Sequence, residues 1–157
     1  MAKFVYKMQS VLNIKEKMEE QAKVAFGAAN AALRTEEERL QRLYQRRIQY
    51  LAEGALLRQA LLDQLKLQEN EAALNYIAEE IRDQKIRVKR AEEALERARQ
   101  VLQEYRIERK THEQLKEAAF EEFKAELAKE ESKEVDELVS YVYGRRGRAE
   151  AEMAAAH

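Results

Sequence analysis

The chain of 157 residues offers chemistry thirty carboxylates, two histidines and no cysteine. Glu108 and His112 stand four residues apart, a spacing that puts both on one helical face and could grip a metal. No third ligand follows at a helical spacing, so His112 reads as a surface histidine, and His157 is the last residue. Paired carboxylates act as acid and base only where burial raises a pKa or excludes water, and an open helical surface does neither. No Ser has a base placed to activate it. The four glycines form no phosphate-cradling loop, and no strand precedes one. Arg145, Arg146 and Arg148 form a basic cluster, read first as complementing a helix C-terminus and second as a site for an acidic partner. Cysteine is absent, which excludes disulfides and thiolate metal sites. The expectation is a protein that is not an enzyme, with no catalytic residues, no cofactor and no metal.

What must position these residues is helix. There is no Pro, and 38% of the residues are charged with a net charge of −1. Such a composition with a 3.5-residue period argues for a coiled coil. No run of about 18 apolar residues exists to span a membrane, and the start MAKFVYKMQS lacks the apolar core of a signal peptide. The near-neutral balance gives no broad pull toward nucleic acid or an anionic membrane.

Stepping by three and four from Val5 through Leu12, Ala22, Phe26, Leu33, Leu40, Tyr50 and Leu57 to Leu61 gives a seam in which twelve of seventeen positions are apolar. That seam predicts one helix over about 3–67, roughly 100 Å long. Lys15, Glu19, Glu36, Arg47 and Gly54 interrupt it. The charges can snorkel or fix register. Gly54 marks either a close backbone approach or a hinge. A second apolar row, Tyr44, Ile48, Leu51, Ala55, Leu62 and Leu65, lies beside the first. A two-helix hairpin covers one stripe, so this row is either a shifted seam or exposed partner surface.

A turn is expected at about 68–72, where Asn70 would cap the next helix and Glu71 would sit in its first turn. The second helix is expected over about 73–143. Its seam runs from Leu74, Ile77 and Ile81 through Gln84, Val88 and Leu95 to Leu102 and Tyr105, then resumes at Leu115, Ala119, Phe123 and Leu127. Gly144 reads as the residue past the helix C-terminus, and 149–157 as a frayed tail.

Three stretches in this order are similar to the flagellar FliJ family, small coiled-coil components of the flagellar type III export apparatus. They are FVYKMQSVLNIKEKMEEQAK at the start, ALNYIAEEIRDQKIRV in the middle and KEVDELVSYVYGRR near the end. The last carries Lys133, Asp136, Glu137 and Leu138, matching a pattern of a basic residue shortly before Asp-Glu and an apolar residue. The resemblance implies an all-α antiparallel two-helix coiled-coil hairpin, similar to the central stalk of rotary ATPases. It implies binding to the hexameric export ATPase, to the cytoplasmic domain of the export-gate membrane protein and to export chaperones. It also implies a cytoplasmic place beside the flagellar basal body at the inner membrane.

Expected at the gate are Leu43, Tyr50, Ile77 and Ile81, carried over from the family, with Tyr44, Ile48 and Leu51 from the unexplained row. The family's aromatic one turn before Ile77 falls at Ala73 here, with Tyr76 nearby. Phe4, Val5, Asp136 and Glu137 are expected at the ATPase. The other readings are a structural coiled-coil dimer without a turn and a secretion chaperone for another substrate. Neither nucleic acid nor a small-molecule substrate is expected.

Overall fold

The computed structural model describes residues 2–60 and 63–156. It contains two helices, α1 (Gln9–Gln59) and α2 (Gln64–Ala155), and no strand among the described residues. They pack on each other as an all-α helical hairpin within one chain, so the turn-free dimer does not apply. Two compact units divide it: Lys15–Glu108, here the hairpin unit, and Met1–Ile14 with Arg109–His157, here the terminal unit. α2 is continuous through both.

The turn lies earlier than expected. α1 ends at Gln59, and Asp63 caps α2: its Oδ1 accepts from the backbone N–H of Leu65 at 3.1 Å and of Lys66 at 3.4 Å. Residues 68–72 are helical, and Asn70 is a buried seam residue rather than a cap. Leu61 and Leu62 lie outside the described residues. α1 also begins later than expected, at Gln9, whose N–H donates to the Tyr6 carbonyl at 3.2 Å.

In the hairpin unit the two seams hold. Along α1 the covered positions include Ala22, Phe26, Leu33, Leu40, Tyr50 and Leu57; along α2 every expected position from Leu74 to Tyr105 is buried or half-buried. Ile77, 1% exposed, and Ile81 are the centre of the core. Burying each contributes about 1.5–3 kcal/mol. Of the expected seam positions within this stretch of α1, Arg47 alone is exposed.

Polar seam residues contact one another across the helices. The Gln84 amide donates to the Glu36 carbonyl at 3.0 Å and to its carboxylate. Lys15 meets Glu108 at 2.9 Å, and Arg106 lies 3.7 Å from the buried Glu19 carboxylate. Asn70 Nδ2 donates to the Tyr50 carbonyl at 2.9 Å. The residue numbers of these partners add to 120 for Glu36–Gln84 and Tyr50–Asn70, 123 for Lys15–Glu108 and 125 for Glu19–Arg106. A nearly constant sum is the signature of antiparallel pairing in one register. Gly54 belongs to this set. A Cβ there would stand 2.5 Å from Asn70 Oδ1, so the glycine serves close approach within an unbroken helix rather than a hinge.

The terminal unit is thinner. Leu12 is buried, and the Phe4 ring sits edge-on to Phe120 at 5.1 Å and tilted to Phe123 at 5.5 Å. Leu115 is exposed, and the covered row runs instead through His112, Lys116, Ala119, Phe123 and Leu127. Beyond Leu127 every described residue is exposed. The helix does not stop at Gly144, which has no left-handed φ, but runs on through the expected tail to Ala155.

Candidate interaction surfaces

The seam of α1 in the tip half reads Leu40, Leu43, Arg47, Tyr50, Gly54 and Leu57. Residues one position after the seam project to one flank, and residues one position before it to the other. Tyr44, Ile48, Leu51 and Ala55 form the first flank. Ile48 is 65% exposed and Leu51 49%, while Tyr44 is half-buried beneath Lys85, whose Nζ lies 5.9 Å from the ring centroid. The second row is therefore surface, not a shifted seam; Leu65 is exposed too, and Leu62 lies outside the described residues. Leu51 lines a groove of about 390 Å³ with Leu74, Ala78 and Ile81, rimmed by Arg47, Arg82 and Lys85.

The other flank differs. Arg39, Arg42 and Arg46 face Glu80, Asp83 and Arg87 across a cleft of about 340 Å³. Nearer the turn it becomes an apolar groove of about 610 Å³ that includes Tyr50, Leu56, Leu57, Ala60 and Ala73, with Asn70 among the lining residues. Sequence reading missed this groove. Its signal was Leu56 and Ala60, four apart and one position before the seam. Tyr76 is exposed on α2; its hydrogen bond to the Glu80 carboxylate and that negative charge raise its pKa.

The seven residues expected at the gate thus do not share one patch. Ile77 and Ile81 are 1% and 5% exposed and hold the helices together, so a partner cannot grip their side chains while the hairpin stays closed. Leu43 borders the arginine cleft and Tyr50 the apolar groove. Tyr44, Ile48 and Leu51 lie on the opposite flank. Burial explains the split: seam residues and flank residues have similar apolar character in sequence, and only the pairing of the helices separates them.

In the terminal unit Phe4 is spent on packing, whereas Val5 is 75% exposed. Asp136 and Glu137 stand on the bare stretch of α2, about 20 Å along the helix from Phe123. The four therefore offer two separate contacts. Phe4→Ala should remove about 2–3 kcal/mol of local packing. The check is hydrogen exchange: the Gln9 and Leu12 amides, bonded to the Tyr6 and Met8 carbonyls, should lose protection while the hairpin unit keeps its own.

Among the described residues no group of three His, Asp or Glu could hold a metal. Glu108 is engaged by Lys15, and His112 Nδ1 is buried without a hydrogen-bond partner. Arg145, Arg146 and Arg148 are exposed within a continuing helix, so they do not complement its end. No described helix is long and apolar enough to cross a membrane.

The sequence matches the family described as Flagellar FliJ protein over residues 4–148. No curated protein matches it. Among solved structures it is similar to a proposed YscO homologue from Chlamydia trachomatis, with 21% identity and a TM-score of 0.60, over 93% of this chain and 99% of that one. At that identity the likeness speaks for the fold.

Proposed function

The chain belongs to the flagellar FliJ family and is a type III export-associated protein; we propose that it works there as a non-enzymatic stalk of the export ATPase that also contacts the export gate. The observation that carries this reading is the bare stretch of α2 beyond Leu127. A helix that enters a ring needs a free circumference, and here every described side chain from 128 onward is exposed. A single chain inside a six-fold ring must make unequal contacts with its subunits, and so can bias assembly or couple turnover to gating. Asp136, Glu137 and Val5 are the residues offered to the ATPase.

The gate contact is drawn on the Tyr44–Leu51 flank, because Ile48 and Leu51 are exposed there beside Tyr44, which is half-buried beneath Lys85. Exposed apolar rows of this kind mark partners. The same flank supports the companion role of escorting export chaperones. The protein would then work in the cytoplasm, held peripherally at the basal body on the inner membrane.

Recovery of a hexameric ATPase with the intact protein from a cytoplasmic extract is the expected result of a pull-down, and its consistent absence would count against the stalk. Leu51→Glu and Tyr44→Glu should each weaken binding of the gate's cytoplasmic domain by roughly tenfold or more. Helicity and melting should stay unchanged. Undiminished gate binding by both variants would remove this flank from the reading.

A further inference from the structure

We propose that the bare stretch of α2 in one copy of this chain docks into the basic-rimmed groove of the hairpin unit in a second copy. The two faces are complementary and neither is covered within the chain. The groove carries Arg47, Arg82 and Lys85 around Leu51, Leu74 and Ala78, and no acidic residue lines it. None of the three cations is in an ion pair among the described residues. Ile48, 65% exposed, stands about one turn before Leu51 on the same flank of α1.

The candidate occupant has the opposite sign. Residues 130–142 hold Glu130, Glu131, Glu134, Asp136 and Glu137 against the single cation Lys133. Val135, Leu138 and Val142 stand at i, i+3 and i+7, and are 57%, 63% and 50% exposed. That is the anchor spacing of an amphipathic helix laid into a groove. Glu131 and Glu134 lie four residues before Val135 and Leu138, on the same side of the helix as these anchors.

Groove against groove sets three cations against three, and two 130–142 segments side by side in parallel set five carboxylates against five. The 130–142 segment in the groove brings opposite signs together over apolar anchors. The contact is heterologous, so it either closes by a reciprocal second contact or extends into chains. It follows from these two faces and does not rest on the export reading. It would cover both surfaces until a partner displaces the second copy.

Sedimentation equilibrium of the full chain tests this. At about 100 µM protein and about 0.1 M salt, masses above the 18.4 kDa monomer are expected. Raising salt to about 1 M shortens the screening length from about 10 Å to about 3 Å and should weaken association at least about tenfold. Arg82→Glu with Lys85→Glu makes the groove acidic. Glu130→Lys, Glu131→Lys and Glu134→Lys together make the helix basic, with four cations against two carboxylates. Each variant alone should be monomeric with unchanged helicity. Mixed one to one, they should associate again, because each helix now meets a groove of opposite charge. A monomeric mass for the native chain at every salt and concentration overturns the proposal, and so does a mixture that stays monomeric.

Discussion

Ile77→Ala should destabilise the hairpin by about 2–4 kcal/mol, the largest effect expected of any single truncation in this chain. Ile77 is the only fully buried large side chain among the described residues. Most of the seam around it is half-exposed, so few other contacts can make up the loss. The cost has two parts: the transfer energy of the deleted carbons, and a cavity between helices that the Gln84–Glu36 and Asn70–Tyr50 hydrogen bonds hold in register. Ile86, on the same helix but 49% exposed, provides the contrast; its truncation should cost less than about 0.5 kcal/mol. Urea unfolding followed by helical circular dichroism measures both. Equal small losses would mean that Ile77 does not sit between the helices.

Gly54→Ala is expected to destabilise in the native background and to stabilise once Asn70 is removed. Alanine in a helix interior is favoured over glycine by about 1 kcal/mol. Against that gain stands Asn70 Oδ1, which a new Cβ would meet at 2.5 Å. The amide must then swing away from the Tyr50 carbonyl, and a buried polar group left unpaired costs about 1–3 kcal/mol. The net effect of Gly54→Ala is a loss of about 1 kcal/mol. In an Asn70→Ala background the obstacle is gone, and the same change should add about 1 kcal/mol. The coupling between the two sites is thus about 2 kcal/mol. Equal effects of Gly54→Ala in both backgrounds would contradict the contact.

These two sites also show what the sequence displays and what it conceals. Ile77, Ile81, Leu95 and Leu102 announce themselves by spacing, because apolar residues every 3.5 positions have one way to be covered. The helical hairpin follows from two such seams in one chain. The turn was harder to place, because no Gly or Pro punctuates it. The available signals were Asp63 ahead of Leu65 and Lys66, and a seam that runs back from Leu74 through Asn70 to Leu67 without a break. Asn70 suits a cap by residue type, yet its amide finds a better partner across the hairpin. Gly144 likewise suits a helix end, but nothing packs there to halt the helix.

The candidate surfaces were legible by half. Exposure of Ile48 and Leu51 could be anticipated, since a two-helix hairpin covers one stripe. The burial of Ile77 and Ile81 beside them could not be separated from that row until the register was known, because a shift of one residue exchanges seam and flank. Asp136 and Glu137 were recognisable by pattern. That they stand on an exposed stretch of helix follows from α2 beginning at Gln64 instead of about 73, which leaves α1 with 51 residues and α2 with 92.

The most direct test of the stalk reading is the ATPase activity of the purified export ATPase, titrated with this protein. Activity should rise with added protein and saturate, and Asp136→Lys with Glu137→Lys should abolish the rise while leaving helicity intact. Activity that stays flat at saturating protein would contradict the account.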